Sequence, residues 1–409
     1  MNNIALPKDF NFDDGPKSQN THLKFYKEFN CIGSDCPLTC CKGWTISLDK
    51  KTFYKYKSDD RFKDHVSKGG NSGSRSSETF GVINRNEAGA CELLEDNGLC
   101  KVHTLKGPDA LSKTCATFPR NITSFSDTST HKGLTLACPE AARLCISSED
   151  AVALKHEIGQ KNKLSNNIYI IGKNTLPALR ANVFEATINF LTDATEDLWA
   201  RLVAVGATIK HLDDATTFSS EDFSSLLDSS LASMAGDLDE TYAGMFQLET
   251  YGEILFNNLS KIKKDDQFGQ FVHASAIELG EGQVPRNEIF RRYFIAKKFH
   301  WKQYSLRYPH IIKNIIINDI SNIMAEFGSP RERLLEVIQN IICRTSMIKF
   351  LLETNSNLIN GAANLTTATV IISSVQRRFT HNMQMTKQLD MYLKSKDGDP
   401  FSLACTLIR

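Results

Sequence analysis

The sequence predicts a mostly α-helical protein. An irregular, cysteine-rich, metal-binding N-terminal domain (residues 1–150) is expected to precede a larger all-helical domain (residues 151–409). The chain has 409 residues, of which 41% are apolar, and single domains usually contain about 100–200 residues. Nine of the eleven cysteines precede residue 150. From about residue 151, apolar residues recur at steps of three and four, which is typical of amphipathic helices.

The first 150 residues contain turn residues between short apolar segments such as GWTISL, so little packed core is expected there. The N-terminal stretch MNNIALPKDFNFDDGPK lacks the apolar segment of a secretion signal. No run in the sequence approaches the roughly eighteen uninterrupted apolar residues of a membrane span. We therefore expect a cytoplasmic protein that does not associate with a membrane.

The cysteines are the strongest candidates for a functional site, because cysteines in a reducing compartment more often bind metal than form disulfides. In CIGSDCPLTCCKGW, Gly33 and Pro37 help the chain to turn between thiols. Further on, CELLEDNGLC places a cysteine on each side of an Asn-Gly turn, and another cysteine precedes Pro139, a good first residue for a helix. The predicted metal ligands are Cys31, Cys36, Cys40, Cys41, Cys91, Cys100, Cys115 and Cys138.

The other candidate ligands are weaker. Cys145 lies seven residues after Cys138 and is either a core thiol or a ligand. Cys343 and Cys405 fall within helical patterns and are expected to be inert. His103 has a ligand-like spacing from Cys100, but an ordinary surface imidazole fits as well.

The spacing of the cysteines does not name the metal. It differs from the paired C-x2-C motifs of zinc ribbons and from the cysteine run of ferredoxins. It also lacks the C-x3-C-x2-C loop of radical S-adenosylmethionine enzymes, because Gly43 occupies the third cysteine position. A ligand set made only of cysteines suits the soft iron of a cluster as well as it suits zinc. We expect an iron–sulfur cluster of the 4Fe-4S type, with zinc as the alternative.

Four segments carry a resemblance to a known family: CIGSDCPLTCCKGW, GLCKVHTLKGPDALSKTCATFPR, LTLACPEAARL and, far downstream, NEIFRRYFIAKKFHW. Their order resembles the flagellin lysine-N-methylase family, the FliB-type proteins. The cysteine-rich portion of that family is similar to proteins thought to bind zinc or an iron–sulfur cluster. The resemblance implies a bacterial enzyme that transfers methyl groups from S-adenosylmethionine, its cofactor, to lysines of flagellin, its partner.

Methyl transfer to lysine requires a neutral amine, so the site must desolvate the lysine or accept its proton. The sequence has no glycine-rich loop of the Rossmann type. The catalytic and cofactor-binding residues therefore stay unassigned. A cluster with an open iron that chelates the methionine part of the cofactor is one route, and a purely structural cluster is the simpler alternative.

The lysine is expected to enter a cleft between the two domains, lined on one side by Trp44–Tyr56 and on the other by the basic stretch Arg291–Lys302. Alternatively, that stretch is an amphipathic helix with its aromatic residues in the core. The net charge of +1 argues against nucleic-acid binding. A second hypothesis for the whole protein is a metal-stabilised helical interaction protein without catalysis. The sequence does not indicate an oligomeric state.

Overall fold

A computed structural model describes most of the chain. The N-terminal segment from which localisation was inferred falls largely in residues 1–16, which lie outside the described part. The described residues are 17–70, 76–126, 129–160, 167–168, 177–193, 197–211, 219–233, 239–264, 266–355, 364–381 and 383–409.

Helices dominate the described residues, so the mostly α-helical class is confirmed. Among the described residues before position 150 there are four short helices: α1 (Lys50–Lys57), α2 (Lys101–Lys106), α3 (Lys113–Thr117) and α4 (Pro139–Cys145). The helices that follow are α5 (Pro177–Thr192), α6 (Leu198–His211), α7 (Ser220–Ala232), α8 (Glu240–Tyr251), α9 (Gln267–Leu279), α10 (Arg286–Ile295), α11 (Lys302–Arg307), α12 (Ile311–Asn322), α13 (Arg331–Thr354), α14 (Asn364–His381), α15 (Met383–Lys394) and α16 (Pro400–Thr406).

Local sequence signals explain several helix ends. Ser219 and Asp222 form a reciprocal capping box at the start of α7. Helix α9 ends at Gly280, which adopts the left-handed conformation with φ of +74°. Two π-helical turns, Gly252–Phe256 and Ala296–Trp301, follow α8 and α10. Each helix in the described part is too short or too polar to serve as a membrane span.

The strands of the described residues are β1 (Lys17–Leu23), β2 (Ser47–Leu48), β3 (Val66–Lys68), β4 (Gly81–Ile83), β5 (Arg120–Ser126), β6 (Ser129–Leu134), β7 (Leu154–Gln160) and β8 (Asn167–Ile168). One sheet has the order β7-β1-β6-β5-β8, in which β1 is parallel to β6 and antiparallel to β7. A second sheet has the order β2-β4-β3. These strands correct two predictions. The N-terminal part is not irregular throughout, and the part after residue 151 is not all-helical, because β7 and β8 follow that position.

The strands were not predicted from the sequence because several of their buried positions are polar. In β1, Asn20, Thr21 and His22 are all buried. A half-buried strand is normally recognised by alternating apolar and polar residues, and β1 has no such alternation. Strands β2, β3 and β4 are only two or three residues long, which is too short for any periodicity to show.

Two hydrophobic cores organise the described residues. The small core comprises eleven buried side chains between Ile46 and Ala110. The large core contains the buried faces of the later helices, together with Leu23–Phe29 and residues 134–152. The large core and the five-stranded sheet therefore both include residues on either side of position 150, while the domain boundary at that position stays a prediction. The cysteine segments lie where the two cores meet.

Candidate metal centre

The first cysteine segment folds around a tight turn. Residues Gly33–Asp35 form a 3-10 turn, and the Cys36 amide donates to the Gly33 carbonyl at 3.2 Å. Gly33 has φ of +58°, a region that favours glycine. The Cys36 thiol donates to the Leu38 carbonyl at 3.4 Å. The predicted turn between the first thiols is therefore present.

The second cysteine segment is a hairpin attached to the first. A bridge joins Leu94 to Cys100, and Gly98 adopts φ of +81° at the turn. The hairpin predicted from the Asn-Gly pair is thus confirmed. The Cys91 amide donates to the Cys41 carbonyl at 2.8 Å, which ties the two cysteine segments together through their backbones.

The last two predicted ligands lie at the starts of short helices. Ser112 caps α3 by accepting a hydrogen bond from the amide of Cys115 at 3.2 Å. Cys138 is the N-cap residue of α4, and Pro139 occupies its first turn, as the sequence predicted. Cys138 belongs to the large core, whereas Cys115 packs against the small core. The two cores therefore bring these thiols together from opposite sides.

A cavity of about 160 Å³ lies between these segments, and we call it the cysteine cavity. Its apolar walls include Phe29, Trp44, Ile46 and Phe118, and His103 also lines it. Among the described residues that line it, there is no aspartate or glutamate. The cysteines that line it are Cys31, Cys36, Cys40, Cys41, Cys100, Cys115 and Cys138. The structure thus brings together seven of the eight predicted ligands around one space.

Cys91 is the exception among the predicted ligands. Its side chain is buried in the small core and is not among the residues that line the cysteine cavity. Its role as a ligand stays a prediction. Of the other cysteines, Cys145 is fully buried in the large core and its thiol donates to the Asn314 carbonyl at 3.5 Å. Cys343 and Cys405 are buried in the same core.

Burial raises the pKa of several thiols that line the cavity. The pKa values of Cys115 and Cys138 rise to about 12, and that of Cys91, outside the cavity lining, rises to about 11. For Cys40, the hydrogen bond with the Cys41 side chain is the larger cause, followed by burial, and together they raise its pKa strongly. Neutral thiols in an apolar cavity release protons when a soft metal binds them.

The thiols also influence one another. After burial, the nearby thiol of Cys100 further raises the pKa of Cys115, and Cys36 does the same for Cys138. The thiols therefore lie close enough together for the charge on one to raise the pKa of another. Within the described part of the chain, however, no three His, Cys, Asp or Glu side chains form a ready-made metal site. The side-chain types suit a metal, but the described thiols are not grouped closely enough to coordinate an ion as they stand.

Arg377 is a residue of this site that the sequence did not reveal. It lies on α14, and its Nε, Nη1 and Nη2 atoms donate to the carbonyls of Ala137, Thr39 and Leu38, each at 2.8 Å. Arg377 and Thr39 are separated by 338 positions in the chain, so no local motif connects them.

The expected cleft differs from the observed cavity on both of its sides. Trp44 lines the cavity and donates its indole hydrogen to the Cys40 carbonyl at 2.7 Å, while Tyr56 is buried in the small core. The described residues of Arg291–Lys302 do not line the cavity. Arg291 pairs with Glu288 of its own helix at 2.7 Å instead. The cavity's arginine is Arg377, and the stretch that includes Tyr293 and Trp301 buries aromatic side chains in the large core.

A second cavity of about 870 Å³ lies within the helical part. Its charged residues are Glu249, Glu253, Glu281, Arg286 and Lys396, and Arg286 is paired with Glu249 at 2.6 Å. Among the described residues that line it, there is no cysteine. Its volume falls within the range of about 300–1,000 Å³ that is usual for small-molecule sites, whereas the cysteine cavity is smaller.

These features define a class: a mostly helical protein with a thiol-lined cavity between a small and a large core. Residues 185–407, more than half of the chain, match the family model described as the FliB lysine N-methylase C-terminal domain. The chain belongs to that family.

Curated relatives agree with this family. The chain is 32% identical over 263 residues to proteins named Lysine-N-methylase from Salmonella typhimurium and Salmonella choleraesuis, over 60% of this chain and 57% of theirs. It is 34% identical over 150 residues to the flagellar biosynthetic protein FliU of Salmonella muenchen, over 36% of this chain and 86% of FliU. The chain thus matches little more than half the length of the two methylases. No solved structure is significantly similar.

Proposed function

We propose that this protein is a lysine N-methyltransferase that transfers methyl groups from S-adenosylmethionine to lysines of flagellin. Membership of the FliB family is the observation that carries this proposal. The relatives named Lysine-N-methylase support the reaction, and the relative named flagellar biosynthetic protein FliU supports a flagellar substrate. The cytoplasm, where flagellin is made before export, is the compartment that we propose for this activity.

We further propose that the cysteines hold an iron–sulfur cluster at the cysteine cavity. Such a cluster is usually held by about four thiolates, which would come from among the seven lining thiols, with Cys91 as the eighth candidate. Thiolates are the usual ligands of such clusters, and the lining contains no carboxylate within the described residues. When bound, a cluster with an open iron would supply a chelating position for the amino-acid part of the cofactor.

The protein's own residues would prepare the lysine at the mouth of this cavity. The walls formed by Trp44, Phe118 and Phe29 exclude water, and desolvation favours the neutral amine that methyl transfer requires. The ring centres of Trp44 and Phe118 lie 5.9 Å apart. An aromatic face can hold a methylated ammonium product. Holding both reactants in line would supply much of the rate.

The volume of the cysteine cavity limits where the cofactor can lie. At about 160 Å³, it is smaller than the roughly 300–1,000 Å³ that is usual for small-molecule sites. A molecule as large as S-adenosylmethionine would therefore extend out of the cavity toward solvent. A crystal structure with S-adenosylhomocysteine would test this: density in the 870 Å³ cavity, far from the thiols, would contradict a cofactor at the cysteine centre.

The activity itself is tested by incubating the purified protein with flagellin and S-adenosylmethionine and measuring the intact mass of flagellin. The expected result is a series of mass increments, each equal to one added methyl group. Flagellin with chemically acetylated lysines is the matched control and should gain none. Unmodified flagellin that binds the protein but gains no mass would instead support the interaction protein without catalysis.

A further inference from the structure

We propose that Arg377 is a positioning residue of the cysteine cavity. Its guanidinium holds the segment that carries Cys40 and the segment that carries Cys138 at a fixed separation, so that thiols from both face one site. The inference rests on the proposed function to the extent that the cysteines bind a metal. We call the three hydrogen bonds of Arg377 to these segments the clamp. Because the clamp involves protein atoms only, it can be tested without metal.

The hydrogen bonds of Arg377 act on the backbone next to the ligands. The Thr39 carbonyl is joined by its peptide bond to Cys40, and the Ala137 carbonyl is joined in the same way to Cys138. Arg377 binds both carbonyls at 2.8 Å, through Nη1 and Nε. A planar peptide transmits the position of its carbonyl directly to the next residue. Holding these two oxygens therefore fixes the two cysteine backbones relative to each other.

Only arginine can make this arrangement. Three of its nitrogens donate at once, because the guanidinium is a planar fork, and the third bond reaches the Leu38 carbonyl at 2.8 Å. The same carbonyl accepts the Cys36 thiol hydrogen bond at 3.4 Å. A lysine ammonium is a compact charge on a flexible stem and lacks the fork. It would keep the charge at this place but lose the geometry.

The helix that carries Arg377 is itself held firmly. The preceding residue, Gln376, is buried and donates to the Asp319 carboxylate of α12 at 2.6 Å. Arg344 of α13 donates to the same carboxylate oxygen at 2.7 Å. Helix α14 also packs against α4, which begins directly after Cys138. The clamp is therefore anchored in the large core and reaches out to the cysteine segments.

The charge of Arg377 is directed to the cavity. Its three acceptors are neutral carbonyls, and it makes no ion pair with a carboxylate in the described part of the chain. A positive charge beside several thiolates offsets part of the negative charge of a metal–thiolate centre. Reduction adds a further electron to such a centre, so this charge also favours the reduced form.

The test compares substitutions at two adjacent arginines of α14. Arg377→Lys keeps the charge but not the fork, and Arg377→Gln removes the charge as well. Arg378→Lys and Arg378→Gln are the matched controls, because Arg378 lies over the ring of Phe268, 5.6 Å from its centre, and is not among the residues lining the cysteine cavity. Circular dichroism and thermal unfolding establish that each variant is folded.

The first readout uses metal-free protein, because the hydrogen bonds of Arg377 join residues 38, 39 and 137 to α14 and involve no residue of the small core. The rate at which iodoacetamide labels Cys138, which is buried, is measured by peptide mass spectrometry. Loss of the clamp should raise this rate about tenfold in both Arg377 variants, as expected when charge-assisted hydrogen bonds are lost. The Arg378 variants should match the unmodified protein. Equal rates at Cys138 in all four variants would overturn the proposal, whether or not the protein binds metal.

The second readout uses the reconstituted protein. Iron retained against a chelator should fall about tenfold in Arg377→Gln and less in Arg377→Lys. The midpoint potential of the centre should become more negative in Arg377→Gln and stay nearly unchanged in Arg377→Lys, which a merely structural role would not produce. Equal potentials in the two Arg377 variants would refute the charge effect. If the unmodified protein binds no metal, the proposed function fails on that point and the labelling rates alone decide the clamp.

Discussion

The two cores of this protein differ in how much stability hydrophobic packing alone can provide. In the described part of the chain, the small core has eleven buried hydrophobic residues and the large core has seventy-three. Cores of the smaller size rarely supply enough stability by packing alone, and natural proteins of that size often add metals or disulfides. The eight predicted ligands lie around the small core and at its junction with the large one, whereas Cys145, Cys343 and Cys405 are buried in the large core. Most thiols are therefore concentrated where hydrophobic packing is scarce.

The polar groups that the two cores bury differ in the same way. In the large core, Glu353 is fully buried, lies 3.1 Å from the Lys349 ammonium and accepts a hydrogen bond from Tyr293 at 2.8 Å. Around the small core, the buried Tyr56 hydroxyl donates to the neutral Ala110 carbonyl at 2.8 Å. A large packed frame can hold a buried ion pair in place. The small core depends on neutral hydrogen bonds and on whatever its thiols bind.

The largest predicted effect comes from removing a ligand on the small-core side. Cys40→Ala or Cys100→Ala should release the metal and unfold much of residues 46–115, because metal binding contributes on the order of 10 kcal/mol in small metal-dependent domains. Hydrogen exchange followed by mass spectrometry should show loss of protection there and retained protection in α13.

Cys343→Ala is the control for that experiment, because this thiol is buried in the large core. It should keep the metal and leave protection in residues 46–115 unchanged. Full protection of those residues in metal-free Cys40→Ala would contradict the view that the small core needs metal.

The next effect compares one leucine in each core. Leu93 and Leu351 are both buried, and replacing either with alanine should cost about 2–5 kcal/mol of unfolding free energy. In Leu93→Ala this cost should exceed the free energy of unfolding of the small core. Residues 46–115 should then unfold while the rest of the protein stays folded. In Leu351→Ala the whole large core should stay folded with a lower melting temperature. Proteolysis followed by fragment mass mapping distinguishes the two, and identical cleavage patterns would remove the contrast between the cores.

The junction between sheet and helices should respond to pH through His131. This residue of β6 is buried, its Nε2 lies 2.9 Å from the Ser321 hydroxyl of α12, and burial lowers its pKa to about 3, with a further contribution from His22. Between pH 6.5 and 3 the unfolded state binds the extra proton, so stability falls as the pH drops below 6.5.

His131 alone should make the protein about 2 kcal/mol less stable at pH 5 than at pH 8. Urea unfolding of the native protein and of His131→Gln at both pH values measures this contribution as a difference. The variant should lose that part of the pH dependence. An unchanged dependence would show that the junction is not sensitive to protonation at this residue.

The smallest effect is the loss of a helix cap in each region. Asp49 caps α1 by accepting a hydrogen bond from the Thr52 amide at 2.9 Å, and Ser219 caps α7 by accepting one from the Asp222 amide at 3.1 Å. Replacing either with alanine should cost about 1 kcal/mol. Because the small core has the smaller margin, Asp49→Ala should raise hydrogen exchange across α1. Ser219→Ala should affect only the first turn of α7, and equal spread in both would weaken the comparison.

The sequence was informative wherever a signal is local. The apolar spacing after residue 151 predicted helices, of which α13 is one, and Pro139 begins α4 as expected. The Asn-Gly turn before Cys100 predicted the hairpin correctly. Each of these features depends on residues a few positions apart, so the pattern contains the information that is needed.

Features that depend on distant residues were missed. Strand β1 buries Asn20 and His22, so its sequence lacks the apolar alternation of a strand and its pairing with β7 could not be foreseen. Arg377 joins the cysteine site across 338 positions. The basic residues Arg291 and Arg292 looked available for a ligand, yet Glu288 on the same helix pairs with both. A charge pattern shows which side chains are present, and only the fold shows which of them already have partners.

The metal and acid-labile sulfide content of protein purified without oxygen is the most direct test of a metal centre at the cysteine cavity. We expect a brown protein that contains iron and sulfide in comparable amounts and loses protection in residues 46–115 when they are removed. Stoichiometric zinc without iron would reverse the choice of metal and leave the thiols as its structural ligands. Protein without bound metal and with an intact small core would show that the cysteine cavity is not a metal centre.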